Sequence, residues 1–174
     1  MSAQCLVARI EEVFPELPFP DMTLRQAQLA DETMDREIPQ EEWDTAGRID
    51  HAVVWKDIEP ATLIACDAAL SHISEAGFVY YIPAYMRLAL NQLGAVADPQ
   101  WEAFGSTIFH LTNRSNYTLG RFKRFSDTQI DTVTDFLRQI RAAGGFEGKM
   151  AEKALEAYWE TSEARRRTII IHLP

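Results

Sequence analysis

Apolar positions along the chain recur mostly three and four residues apart, the spacing of one face of an α-helix. Leu6, Val7, Ile10, Val13 and Phe14 form the first such stripe, and Pro15 stops it. The stretch PELPFPDM (15–22) holds three prolines in six positions and reads as an extended connector, because each ring fixes φ and removes a donor. Asp21 or Thr23 then caps a short helix carrying Leu24, Ala27 and Gln28. From Asp31 to Asp50 the periodicity fades, with a turn expected at Pro39–Trp43 and a breaker at Gly47. Residues 31–50 therefore read as an irregular segment.

Order returns beyond residue 50. HAVVWKDI (51–58) is a short β-branched run, either a strand or the entry to the next helix. Pro60 suits a first helical position, and Leu63, Ile64, Asp67, Leu70 and Ser71 extend over about three turns. Ser74 with Glu75 restarts a helix. Within GFVYYIPAYMRLAL (77–90) and just beyond it, Ile82, Met86, Ala89, Leu90 and Leu93 make one face, which Tyr85 and Leu88 widen. Only Arg87, Asn91 and Gln92 leave a polar strip, so this helix belongs inside a bundle. Pro83 predicts a bend and a fresh helix start, with the hydroxyls of Tyr80, Tyr81 and Tyr85 near the backbone groups so freed.

Downstream, Trp101, Phe104, Ile108 and Leu111 share a stripe. Ser126 with Gln129 is a capping-box signature, and the helix behind it repeats Ile130, Val133, Leu137 and Ile140 until Gly144–Gly145 ends it. A last helix is expected over 147–163, before a basic, strand-like tail, RRRTIIIHLP (165–174). A lone strand leaves its backbone groups unpaired, so the tail must join another segment or the same tail of a second subunit. These elements predict a mainly α fold. Residues 1–174 form one domain, an irregular bundle of about six helices with at most a small β element near the C-terminus.

Composition changes this picture little, and charge changes it more. Of the 174 residues, 47% are hydrophobic and 25% charged, as in ordinary soluble domains. No apolar run reaches the roughly 18–20 residues of a membrane span, and no basic-then-apolar leader opens the chain. Cys5 and Cys66 are too few for a disulfide framework, which fits a reduced, cytoplasmic setting. Residues 1–102 hold 18 acids and 6 bases, whereas 103–174 hold 8 acids and 11 bases. The densest stretch, DETMDREIPQEEWD (31–44), contains a single arginine. Such a field repels phosphates and attracts basic surfaces.

Three segments carry a resemblance. WKDIEP (55–60), DAALSHISEAGFVYYIPAYM (67–86) and RFSDTQIDTVTDFL (124–137) resemble an uncharacterised bacterial family of small domains. That family is marked by a Phe-x-Tyr-Tyr-Leu-Pro-Ala-Tyr-type motif and a downstream Phe-(Ser/Thr)-x-x-Gln helix. Trp55, Phe78, Tyr80, Tyr81, Pro83, Ala84, Tyr85, Phe125, Gln129 and Leu137 match it, and Ile82 replaces the usual leucine. The resemblance implies no catalytic residues, because no activity comes with it.

Catalytic signatures are missing too. His51, His72, His110 and His172 show no zinc-protease spacing, and the glycines at 144, 145 and 148 follow a helix rather than a strand. No cofactor or metal is expected, and no nucleophile elbow is present. Arg121, Lys123 and Arg124 interleave with Phe122 and Phe125 in a pattern that can grip nucleic acid. The acidic whole argues against it. The favoured expectation is a non-enzymatic protein-binding module, such as an inhibitor or an immunity protein neutralising a basic toxin. Its contact residues would be Asp35, Glu37, Glu41, Glu42, Trp43 and Asp44, with Trp43 as an aromatic anchor in an acidic rim. The alternative is an enzyme or small-ligand binder with a pocket lined by Tyr80, Tyr81 and Tyr85.

Overall fold

The computed structural model describes residues 2–15, 18–34, 36–50, 54–93, 101–112 and 115–164, the side chains of Trp101 and Glu102 excepted. The first helix, α1 (Ala3–Val13), is capped by the Ser2 hydroxyl and buries Leu6 and Ile10. A capping box opens α2 (Leu24–Glu32): the Thr23 hydroxyl accepts from the Gln26 amide, and the Gln26 side chain accepts from Thr23. Next come α3 (Gln40–Asp50), a 3₁₀ turn at Trp55–Asp57, and α4 (Pro60–Ala65), which Pro60 opens. A second 3₁₀ turn, Ala69–Ser71, leads to α5 (Glu75–Gln92), capped by Ser74. Then follow α6 (Trp101–Thr112) and α7 (Asn116–Phe122). The chain continues with α8 (Asp127–Ala143), α9 (Gly145–Ala154) and a wide π-helical turn, Leu155–Trp159.

Five helices close a ring in which α1 packs on α5 and α8, α8 on α9, α9 on α6, and α6 on α5. Inside it, Phe122 stacks against Trp159 and Tyr158 with centroids 4.7 and 5.2 Å away. The π-turn carries Trp159 into this core, where its indole N–H donates to the Leu111 carbonyl at 2.8 Å. Outside the ring, α2 packs on α3 and on the Ala69–Ser71 turn.

The expected helical bundle is present, with nine helices rather than about six among the described residues. No strand occurs among them, and the tail at 165–174 lies outside the described residues, as do 51–53. The described part of the β-branched run is a 3₁₀ turn.

Two local expectations are corrected. Residues 40–50 are helical, with Gly47 inside α3. Acids in its first turn and Arg48 in its last suit the helix dipole, and Gln40 bonds Asp44 one turn on. None of its residues is fully buried, which is why no apolar stripe announced it. Pro83, in turn, begins no new helix and lies inside continuous α5. A helix-interior proline costs about 3 kcal/mol, while each large buried side chain returns about 1.5–3 kcal/mol. With thirteen of its eighteen residues buried, α5 absorbs that cost many times over.

Candidate functional site

The α2–α3 pair carries the acidic segment. Gln26 links the two helices: its side-chain amide donates to the Trp43 carbonyl at 3.2 Å while its oxygen completes the α2 cap. Gly47 permits this approach, because a Cβ there would stand 2.7 Å from the Gln26 amide nitrogen. At the far end of α3, the two Asp50 oxygens accept from the Arg25 backbone N–H at 3.0 Å and from its Nε at 3.2 Å. One glutamine and one ion pair thus hold a helix that hydrophobic burial alone would not.

The predicted contact residues separate on this frame. Asp35 lies outside the described residues. Glu37, Glu41 and Asp44 are exposed, whereas Glu42 and Trp43 are half-buried. Glu42 is already bound to Arg36, Nη2 to Oε1 at 2.7 Å and Nη1 to Oε2 at 3.0 Å. That hydrogen bonding holds the Glu42 carboxyl below its ordinary range. Glu37 and Glu41 carry no such cation among the described residues.

Two cavities flank α3. The first, of about 180 Å³, lies among α2, the end of α3, the Trp55–Asp57 turn and α4, and Tyr81 lines it. The second, of about 290 Å³, opens between α2 and α3 over Cys66. Burial, with Asp50 adding, pushes the Cys66 thiol up to about 12, so it stays protonated and unreactive. Arg25 and Ile49 border both cavities.

The three tyrosines do not converge on one pocket. Tyr81 reaches the first cavity, its hydroxyl donating to the Met22 carbonyl across 3.4 Å. Tyr80 is buried edge-on against Phe19 and Tyr81. Tyr85 is fully buried, and its hydroxyl donates to the Cys66 carbonyl at 2.5 Å. The hydroxyls of Tyr81 and Tyr85 serve carbonyls on other segments and not a bend at Pro83.

The basic–aromatic cluster is largely interior. Arg121, fully buried, donates to the carbonyls of Leu70 at 2.7 Å and Ile73 at 2.5 Å and lies 4.8 Å from the centre of the Phe78 ring. Phe122 and Phe125 are core, and Arg124 pairs with Glu75 at 2.8 Å. Nearby, His110 is buried with its Nε2 3.3 Å from the Ser71 hydroxyl, and His72 meets Asp31 at 2.9 Å. Among the described residues no cluster of three histidines, cysteines or carboxylates could hold a metal, and no helix is long and apolar enough to cross a membrane.

Of the walls of the first cavity, sequence reasoning named Tyr81 and missed the others. The walls come from Phe19, Leu24, Asp50, Asp57, Glu59 and Tyr81, six positions spread over more than sixty residues of chain. No local motif signals such a grouping.

Residues 2–163 match the family of unknown function designated DUF6714, and the chain belongs to that family. No curated protein and no solved structure matches it.

Proposed function

We propose that this chain is a non-enzymatic protein-binding module whose acidic α2–α3 face captures a partner with a basic surface, as an inhibitor or immunity protein captures a toxin. One observation carries this reading. The helix α3 lies outside the ring, buries no residue fully, and presents Glu41 and Asp44 to solvent beside the half-buried Trp43, with Glu37 exposed in the segment just before it. A helix that contributes so little to the core and concentrates one sign of charge is suited to steering an oppositely charged protein. In this reading the protein acts in the cytosol.

Affinity capture from native lysate, with mass spectrometry, identifies the partner. Its association rate is then measured on the wild type and on Glu37→Lys/Glu41→Lys/Asp44→Lys, which spares the Arg36–Glu42 pair. Association slows in the variant, more at low salt than at high. An unchanged rate at low ionic strength refutes the reading.

A further inference from the structure

The protein-binding reading above is the ground for a more specific assignment. We propose that the cavity bounded by α2, the end of α3 and the start of α4 is the socket for one arginine side chain of the basic partner.

Size comes first. At about 180 Å³ the cavity falls below the roughly 300–1,000 Å³ of small-molecule sites and suits a single long side chain. The walls suit an apolar stem: Leu24, Ile49 and Ile58 join the rings of Phe19 and Tyr81. Charge then selects the head group. Arg25 and Asp50 both border the cavity, but they are bonded to each other and cancel. Asp57 and Glu59, also at the cavity, are exposed and have no cationic partner among the described residues. The lining therefore carries an excess of two negative charges over an apolar interior. A neutral apolar residue would leave those carboxylates uncompensated, and an acidic one would be repelled.

Arginine fits better than lysine here. Its guanidinium is planar, less strongly hydrated than an ammonium, stacks on aromatic faces and donates to two carboxylates at once. Phe19, partly exposed, supplies the ring, while the fully buried Tyr81 backs the cavity wall.

The test uses the full chain and three blocked pentapeptides, identical glycine sequences with a central arginine, citrulline or lysine. Amide chemical shifts are followed by NMR. The arginine peptide should shift the amides of Ile49, Asp57 and Thr62, and citrulline should bind about tenfold more weakly, as expected for loss of a charge-assisted contact. Thr62→Phe fills the cavity from α4, and Asp57→Asn/Glu59→Gln removes the exposed charges without touching the core. Each should weaken the arginine peptide by about the same factor. Equal binding of lysine and arginine peptides, or shifts confined to other surfaces, overturns the socket. Free arginine binding more tightly than the peptide makes this a small-molecule site and overturns it as well. Failure of the parent reading looks different. A nona-arginine peptide weakened by Glu41→Lys/Asp44→Lys but not by Thr62→Phe keeps the acidic face and removes only the socket. A nona-arginine peptide indifferent to both variants removes both.

Discussion

Replacing Tyr85 with phenylalanine deletes one oxygen from the middle of the fold and nothing else. The ring is fully buried on α5, and its hydroxyl donates to the Cys66 carbonyl at the end of α4. A single intramolecular hydrogen bond contributes about 0.5–1.5 kcal/mol net, and an orphaned buried partner raises the loss to about 1–3 kcal/mol. The lower range applies, because the Cys66 carbonyl also accepts from the Ala69 amide at 3.2 Å and keeps that partner. Ring volume is unchanged, so there is no cavity cost. Tyr85→Phe should therefore lose about 1 kcal/mol, a fall in Tm of about 2–4 °C at this chain length. Burial pushes the Tyr85 hydroxyl's ionisation well above its ordinary value, so the loss should not vary between about pH 6 and about pH 9. Urea unfolding of both proteins, with equal m-values as the control, measures it. A loss above about 3 kcal/mol would refute the two-donor argument for Cys66. No loss at all would show that the hydroxyl serves something other than this carbonyl, and the tyrosine-pocket alternative would gain.

Other outcomes are equally definite. Leu88→Ala should cost about 2–4 kcal/mol in denaturant melts, since Leu88 is buried on α5, and a loss below about half a kcal/mol would show that its face is not packed. For His110, burial with the Arg121 charge pushes the imidazole down to about 4. The unfolded chain, titrating near 6.5, takes a proton that the fold refuses, so stability declines by about 3 kcal/mol as pH falls from about 6.5 to about 4 and levels off below. His110→Gln should remove that part of the slope, and an unaltered difference between pH 7 and pH 4.5 would refute it. Gly47→Ala gains about 0.5–1 kcal/mol of helix propensity but pushes the Gln26 amide off the Trp43 carbonyl. Global stability should stay within about 1 kcal/mol while α3 amides exchange faster, and unchanged exchange would show that Gln26 does not hold α3.

How much of this was legible in the sequence depended on where the stabilising interactions lie. Helix α8 was readable end to end, because its capping box and its apolar stripe lie within one short window. The burial of α5 was readable from its nearly all-round apolar surface, yet the uninterrupted course through Pro83 was not. That outcome depends on neighbours from α1 and α6, far along the chain. Helix α3 escaped because Gln26 and Arg25, some twenty residues away, supply what an apolar stripe normally would. Arg121 misled for a related reason: a basic residue among aromatics looks like surface until the carbonyls of Leu70 and Ile73 are seen to surround it. The acids of the candidate site were visible as a charge run, whereas the cavity beside them exists only after folding.

The closed ring has a consequence for synthesis. Its α1 and α8 are neighbours in space, but more than a hundred residues separate Val13 from Asp127. At about 5–20 residues per second, a ribosome takes on the order of ten seconds to deliver the second after the first. Throughout that interval the apolar stripe of Leu6, Ile10 and Phe14 travels without the helix that will cover one side of it, although α5 emerges earlier to cover the other. A ribosome stalled anywhere before Ala143 leaves the ring open and its apolar lining available to chaperones or to other nascent chains. The last helices, not the first, decide when the growing chain stops being sticky.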